Sequence, residues 1–172
     1  IGRRRLDTHI LALQALGVTV TFNKEQKLFE FSADKLTGTD ILLDEASVTA
    51  TENAVMAAVT ANGVTIIRNA ASEPHVQELC QLLNSMGAKI TQLGSNTLHI
   101  QGVDKLTGGE YSVGPDYLEV VSFIGAAAVT GGEITIRNAG PEYLPMIQQV
   151  FQRLGVDWVT KGGDIFVPGD QS

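Results

Sequence analysis

Cysteine is almost missing from this chain: Cys80 stands alone among 172 residues, so no intrachain disulfide framework can form, and a lone thiol fits a reducing compartment. Positive charge is scarce too. Twelve Lys and Arg face 19 Asp and Glu, for a net charge of −7, which speaks against a general nucleic-acid binder or a binder of anionic membranes. Aromatic residues make up only 6%, and Trp158, Tyr111, Tyr117 and Tyr143 are too dispersed to form a base-stacking platform. No apolar run approaches the roughly 20 residues a bilayer crossing takes. CxxC, HExxH, GxSxG and the Gly-Lys-Ser/Thr phosphate loop are all missing, which disfavours zinc, serine-hydrolase and P-loop chemistry. No signal-peptide pattern opens the chain, so the expected location is cytoplasmic. The start at Ile1 without Met reads as a piece of something longer.

What is abundant is repetition. The stretch Thr51–Ala70 reads as a helix carrying Ala54, Val55, Met56, Ala57, Ala58 and Val59, then a break at Asn62-Gly63, then the β-branched run Val64-Thr65-Ile66-Ile67 closing on Arg68-Asn69-Ala70. Ala126-Ala127, Gly132 and Ile136-Arg137-Asn138-Ala139 return the same pattern 69 residues later. Asp34-Lys35-Leu36-Thr37-Gly38 returns as Asp104-Lys105-Leu106-Thr107-Gly108 at an offset of 70. A fixed period means stacked copies of one unit, each burying an apolar face that it cannot bury alone. Apolar residues all round so short a helix predict burial on every side, Val55, Met56 and Val59 included. Each would contribute roughly 1.5 to 3 kcal/mol.

Taken in order, Asp7 is the expected N-cap of a helix over Thr8–Leu16 that Gly17 stops. Val18–Phe22 and Leu28–Phe31 alternate as a hairpin around Asn23–Gln26. A loop from Asp34 to Asp40 and a strand at Ile41–Leu43 lead to the apolar helix, capped by Thr49 or Thr51. Ser72-Glu73-Pro74, with Ser72 as capping hydroxyl, opens a second helix through Met86 that stops at Gly87, and Lys89–Thr91 with Thr97–Ile100 form the next hairpin. Pro115-Asp116 precede a helix over Leu118–Val129, followed by Gly131-Gly132, a strand at Ile134–Ile136, a helix over about Pro141–Leu154, and a hairpin of Asp157–Val159 with Ile165–Val167. The unit is therefore helix, strand, helix, hairpin. Its first helix is apolar and expected inside; its second keeps a polar face, Gln77, Glu78, Gln81 and Asn84 in one copy, and is expected nearer solvent.

Few residues suggest chemistry by type alone. Arg3-Arg4-Arg5, just before a helix start, suits a phosphate or carboxylate through paired guanidinium donors and free amides; it suits a solvated basic tip equally. Ser47-Val48-Thr49-Ala50-Thr51 suits anion binding at a helix start or plain capping. His9 has no partner fixed by spacing, and a satisfied first-turn residue is the plainer reading. Asp44, Glu45 and Asp116 precede helices and suit the dipole. Cys80 falls on an apolar stripe and reads as a core thiol.

Gly2-Arg3-Arg4-Arg5-Leu6-Asp7-Thr8-His9, Ser47-Val48-Thr49-Ala50-Thr51-Glu52-Asn53, Asn69-Ala70-Ala71-Ser72-Glu73-Pro74, Met86-Gly87-Ala88-Lys89-Ile90 and Pro115-Asp116 together resemble the enolpyruvyl transferase family across essentially the whole chain. The resemblance implies an α+β fold, an EPSP synthase-like inside-out prism of ~70-residue units, helices within and sheets around. It also implies that residues 1–113 are the later part of one domain, about one and two-thirds repeats, and 114–172 the first repeat of the second. The activity implied is transfer of the enolpyruvyl group of phosphoenolpyruvate to the 3-hydroxyl of UDP-N-acetylglucosamine in peptidoglycan precursor synthesis, through a tetrahedral ketal, with no cofactor and no metal. By the same match Arg4 is catalytic and faces phosphoenolpyruvate; Arg5, Leu6, Asp7 and Thr8 line the uridine, and Glu45, Ala46, Ser47 and Val48 the uracil and diphosphate. The family usually has Pro and Leu where Arg5 and Thr8 stand, and often Gly at Thr49. Its general-acid cysteine would precede Ile1 and its base aspartate would follow Ser172, so the 172 residues alone are expected to be catalytically silent. The alternatives are the sister activity on shikimate 3-phosphate and a non-enzymatic scaffold of repeats.

Overall fold

The computed structural model describes residues 5–171. The chain divides into two compact units, residues 1–112 and 113–172.

Unit 1 begins with α1 (Asp7–Ala15). The helix starts one residue earlier than its sequence suggests: Leu6 occupies the N-cap without a side-chain cap, and Asp7 is helical. Its carboxylate therefore complements the dipole instead of capping. Gly17, at φ 99°, ends the helix as expected. Strands β1 (Thr19–Asn23) and β2 (Leu28–Ser32) pair antiparallel, and Asn23 Oδ1 closes the turn by accepting from the amides of Glu25 and Gln26.

A parallel crossover follows: β3 (Asp40–Leu42), α2 (Val48–Ala58) and β4 (Val64–Arg68) form a βαβ unit with β3 beside β4. Ser47 is the N-cap of α2, its hydroxyl accepting from Ala50 N, so neither Thr49 nor Thr51 caps. Thr51 is turned inward: its hydroxyl donates to Ser47 O at 2.7 Å and accepts from Ala71 N at 3.0 Å, joining the helix start to the segment after β4. Then come α3 (Pro74–Ser85) and the hairpin of β5 (Lys89–Thr91) and β6 (Thr97–Gln101), completing a four-stranded sheet in the order β3-β4-β6-β5. Glu73, not Ser72, stands at the N-cap of α3, with Pro74 in the first turn. Pro74 takes the first helical position, where its missing amide costs nothing and its fixed φ suits the helix.

Unit 2 repeats the plan with α4 (Tyr117–Thr130), β7 (Ile134–Ile136), α5 (Pro145–Arg153), β8 (Val159–Lys161) and β9 (Asp164–Val167), its sheet ordered β7-β9-β8. Asp116 caps α4 directly, accepting from the amides of Leu118 and Glu119. The single helix expected over 141–154 is divided into a 3₁₀ turn at Pro141–Tyr143 and α5. Pro145 has no amide to carry the hydrogen-bond ladder across the junction.

Apolar residues round the whole circumference of α2 and α4 predicted complete burial, and this holds on one side only. Ala50, Ala54, Val55 and Ala58 of α2 are buried, as is Val59 just after it, whereas Met56 is 46% exposed. In α4, Val120, Ile124 and Ala127 are buried while Leu118, Phe123 and Val129 are exposed. In unit 1 the sheet, α1 and α3 pack against one flank of α2, and in unit 2 the sheet and α5 pack against one flank of α4. No described element of the same unit covers the opposite flank.

The period is visible in the hydrogen bonds. Thr37 N donates to Leu16 O and Thr107 N to Met86 O, so each copy of the Asp-Lys-Leu-Thr-Gly loop ties back to the C-cap carbonyl of the preceding helix, α1 or α3 in turn. Asn69 and Asn138, the Asn of each Arg-Asn-Ala, both hold positive φ at 57° and 49°. The hairpins differ in burial. Inner-face Ile90, Leu98 and Ile100 of β5–β6, like Ile165 and Val167 of β9, are fully buried, but Phe29 and Phe31 at the matching positions of β2 are 42% and 48% exposed.

Candidate functional site

The start of α1 and the start of α2 lie side by side, and the side chains that join them are short and polar. Thr8, only 7% exposed, donates its hydroxyl to Asp44 Oδ1 at 2.6 Å. One residue on, His9 reaches α2: the amide nitrogen of Asn53 lies 2.7 Å from Nδ1 and Thr49 Oγ1 lies 3.3 Å from Nε2. With Asn53 in this amide orientation, the neutral ring accepts at Nδ1 and carries its proton on Nε2, toward Thr49.

Between these links opens a cavity of about 340 Å³ lined by Arg5, Asp7, Thr8, His9, Asp44, Glu45 and Ser47. The cavity thus gathers five of the residues singled out from the sequence, drawn from two segments almost 40 positions apart. Of the others, Leu6 and Ala46 are exposed, Val48 is half-buried in the first turn of α2, and Arg4 lies outside the described residues. His9 and Asp44 are additions. His9 was legible only as a first-turn residue, and Asp44 only as a charge before a helix, because a partner 36 residues away leaves no mark in local spacing.

The lining carries one guanidinium, Arg5, and three carboxylates, Asp7, Asp44 and Glu45. Carboxylates accept hydrogen bonds from hydroxyl and N–H groups, while Arg5 and the N-terminal end of α2 favour negative charge. The arrangement therefore suits a ligand that joins hydroxyl and N–H donors to an anionic group. Other cavities are less suited. One of about 490 Å³ in unit 2, bordered by Trp158, Asp157, Gln152 and Gln171, is ringed by polar groups that satisfy one another: Gln152 donates to Asp157, and Gln171 both accepts from Asp157 N and donates to its carbonyl. One of about 570 Å³ near Asn62 and Gly63 sits where backbone amides and carbonyls already pair, Gly38 with Asn62 and Gly102 with Gly63.

Comparison with known proteins decides the family. The model for EPSP synthase (3-phosphoshikimate 1-carboxyvinyltransferase) matches residues 1–171. The chain belongs to this family. Among curated members of it, UDP-N-acetylglucosamine 1-carboxyvinyltransferase of Treponema denticola is 57% identical over 171 residues, covering 99% of the chain and 39% of the relative. Proteins of the same name from Bacteroides fragilis and Bradyrhizobium diazoefficiens are 55% and 52% identical, covering 98% and 100% of the chain and 39% of each relative. The chain therefore spans about two fifths of the length of the curated relatives it matches. Among solved structures, the enolpyruvyl transferase NikO from Streptomyces tendae superposes with a TM-score of 0.83 at 19% identity, over 98% of this chain and 43% of that one. EPSP synthase from Acinetobacter baumannii gives 0.67 at 22%, over 97% and 40%. These establish the EPSP synthase-like α+β fold. No described helix is long and apolar enough to cross a membrane.

Proposed function

We propose that this chain is part of an enzyme that transfers the enolpyruvyl group of phosphoenolpyruvate to the 3-hydroxyl of UDP-N-acetylglucosamine, with loss of phosphate, as a cytoplasmic step of peptidoglycan precursor synthesis. The observation that carries the reading is the identity of 57%, 55% and 52% to enzymes named for that acceptor, against 22% to a solved EPSP synthase. In this reading residues 1–113 are the later part of one domain and 114–172 the first repeat of the other.

The roles follow the resemblance and suit the cavity's chemistry. Arg4 stabilises charge on phosphoenolpyruvate. Arg5 and Asp7 border the uridine, the Asp7 carboxylate accepting from its hydroxyl or N–H groups, while Glu45 and the capped start of α2 at Ser47 border the uracil and the diphosphate. Leu6, Ala46 and Val48 flank these residues along the same two segments and border the nucleotide through backbone groups. Thr8 belongs to the same wall.

Phosphate release tests the reading. The full-length protein that carries this chain releases phosphate from phosphoenolpyruvate with UDP-N-acetylglucosamine and not with shikimate 3-phosphate. The 172 residues alone release none, and Arg4→Ala in the full-length protein lowers turnover tenfold or more, about the effect of losing one charge-stabilising donor. Preference for shikimate 3-phosphate overturns the acceptor, and near-normal turnover of the Arg4 variant removes it from the mechanism.

A further inference from the structure

The link between Thr8 and Asp44 borders the cavity, and its role rests on the reading of that cavity as a nucleotide-sugar site. We propose that Thr8 and Asp44 are a positioning pair: their hydrogen bond holds the loop of residues 43–47 against the first turn of α1 and so sets the width of the cavity between them.

The loop is anchored at both ends and bare in the middle. At Leu43 the amide donates to Arg68 O and the carbonyl accepts from Asn69 Nδ2, each at 3.0 Å. At Ser47 the chain enters α2 through the cap on Ala50. Glu45 and Ala46 between them are exposed. Asp44 is where this span is tied sideways to α1, through a 2.6 Å contact in the range of a hydroxyl bonded to a charged carboxylate. Such bonds are about twice as strong as neutral ones.

Thr8 is poorly placed to act by touching ligand. A hydroxyl has one proton to give, and that of Thr8 goes to Asp44 from a side chain that is 7% exposed. Its effect on a ligand passes through Asp44 and the loop. The bond also engages one oxygen of one of the three carboxylates. The loop and the helix are separable, because α1 keeps its second anchor through His9 and Asn53 on α2. Removing the Thr8 hydroxyl therefore frees the loop without releasing the helix.

The test uses the full-length protein carrying this chain, with Thr8→Val, Thr8→Ser, Asp44→Ala and the Thr8→Val/Asp44→Ala double variant. UDP is the binding probe, and amide hydrogen exchange of residues 44–48 and 9–15 reads the loop and the helix separately. Thr8→Val is expected to weaken UDP about tenfold, the scale of one hydrogen bond to a charged group. It should raise KM for UDP-N-acetylglucosamine more than it lowers kcat, and speed exchange at 44–48 while leaving 9–15 unchanged. Thr8→Ser restores most of the affinity, and the double variant binds no more weakly than the worse single. Four results overturn the proposal: Thr8→Ser as weak as Thr8→Val, losses that multiply in the double variant, faster loop exchange with unchanged affinity, or Thr8→Val indistinguishable from the parent. If the unaltered protein fails to bind UDP, the nucleotide-sugar reading falls, and exchange at 44–48 alone then decides whether the pair holds the loop.

Discussion

Cys80 faces inward from α3 at 1% exposure, and burial pushes its thiol up to about 11, with the Glu52 carboxylate adding to the effect. A thiol raised from 9.0 stays protonated in the folded chain, so its contribution to stability is constant below pH 9 and falls as pH climbs from 9 toward 11. The nucleophile is the thiolate. A thiol-specific chromogenic disulfide at pH 8 should therefore leave Cys80 unmodified in the native protein and titrate one thiol after urea unfolding; rapid native labelling would contradict its burial. Asp157 runs the other way. Donors from Gln148, the Trp158 amide and Gln152 hold its carboxyl below the ordinary 3.8. The stability this lends is present above pH 3.8 and is lost as pH falls through the lower folded value. Asp157→Asn should lower stability at pH 7 and flatten the acid side of the curve below pH 4, where variant and parent converge, as followed by Trp158 fluorescence.

Helices, strands and their order were legible because the apolar spacing and the Gly stops recur with the period; Gly17, Gly87 and Gly155 all close a helix at positive φ. Caps were less legible. Thr49, Thr51 and Ser72 have the side chains for capping, but Ser47 lies where the chain enters α2 and Glu73 where it enters α3. Met56 escaped because a helical wheel cannot say which flank meets the sheet. At the cavity, two segments could be named from the resemblance, but Asp44's partner depended on the fold bringing α1 to α2. The packing of elements also sorts the glycines. An added Cβ at Gly102 would stand 1.7 Å from Ala61 O, where the end of β6 crosses the turn after α2, whereas at Gly63, φ 97°, nothing lies within 4 Å. Gly63→Ala should thus cost about 1 to 2 kcal/mol of backbone strain. Gly102→Ala should cost about 3 kcal/mol or more, the upper end of overpacking. Urea unfolding of the two variants side by side measures the difference, and equal costs would mean that the crossing gives way easily.

At the scale of the whole molecule, two units carry three hairpins, and only two of the hairpins are roofed. β5–β6 lies in a four-stranded sheet and β8–β9 in a three-stranded one, each with helices over its inner face. β1–β2 forms a two-stranded sheet with the tilted rings of Phe22 and Phe29 4.9 Å apart and Phe31 beside Phe29, all at least 42% exposed. A hairpin of two strands is marginal in water without such cover, so it opens at lower free energy than the rest of unit 1. Its turn, Lys24–Lys27, is exposed throughout and ends on a residue at φ 54°. Trypsin offered the native chain should nick it first after Lys24 or Lys27, before any site at Lys89 or Lys161, leaving a resistant product that starts at Glu25 or Leu28 and is readable by mass.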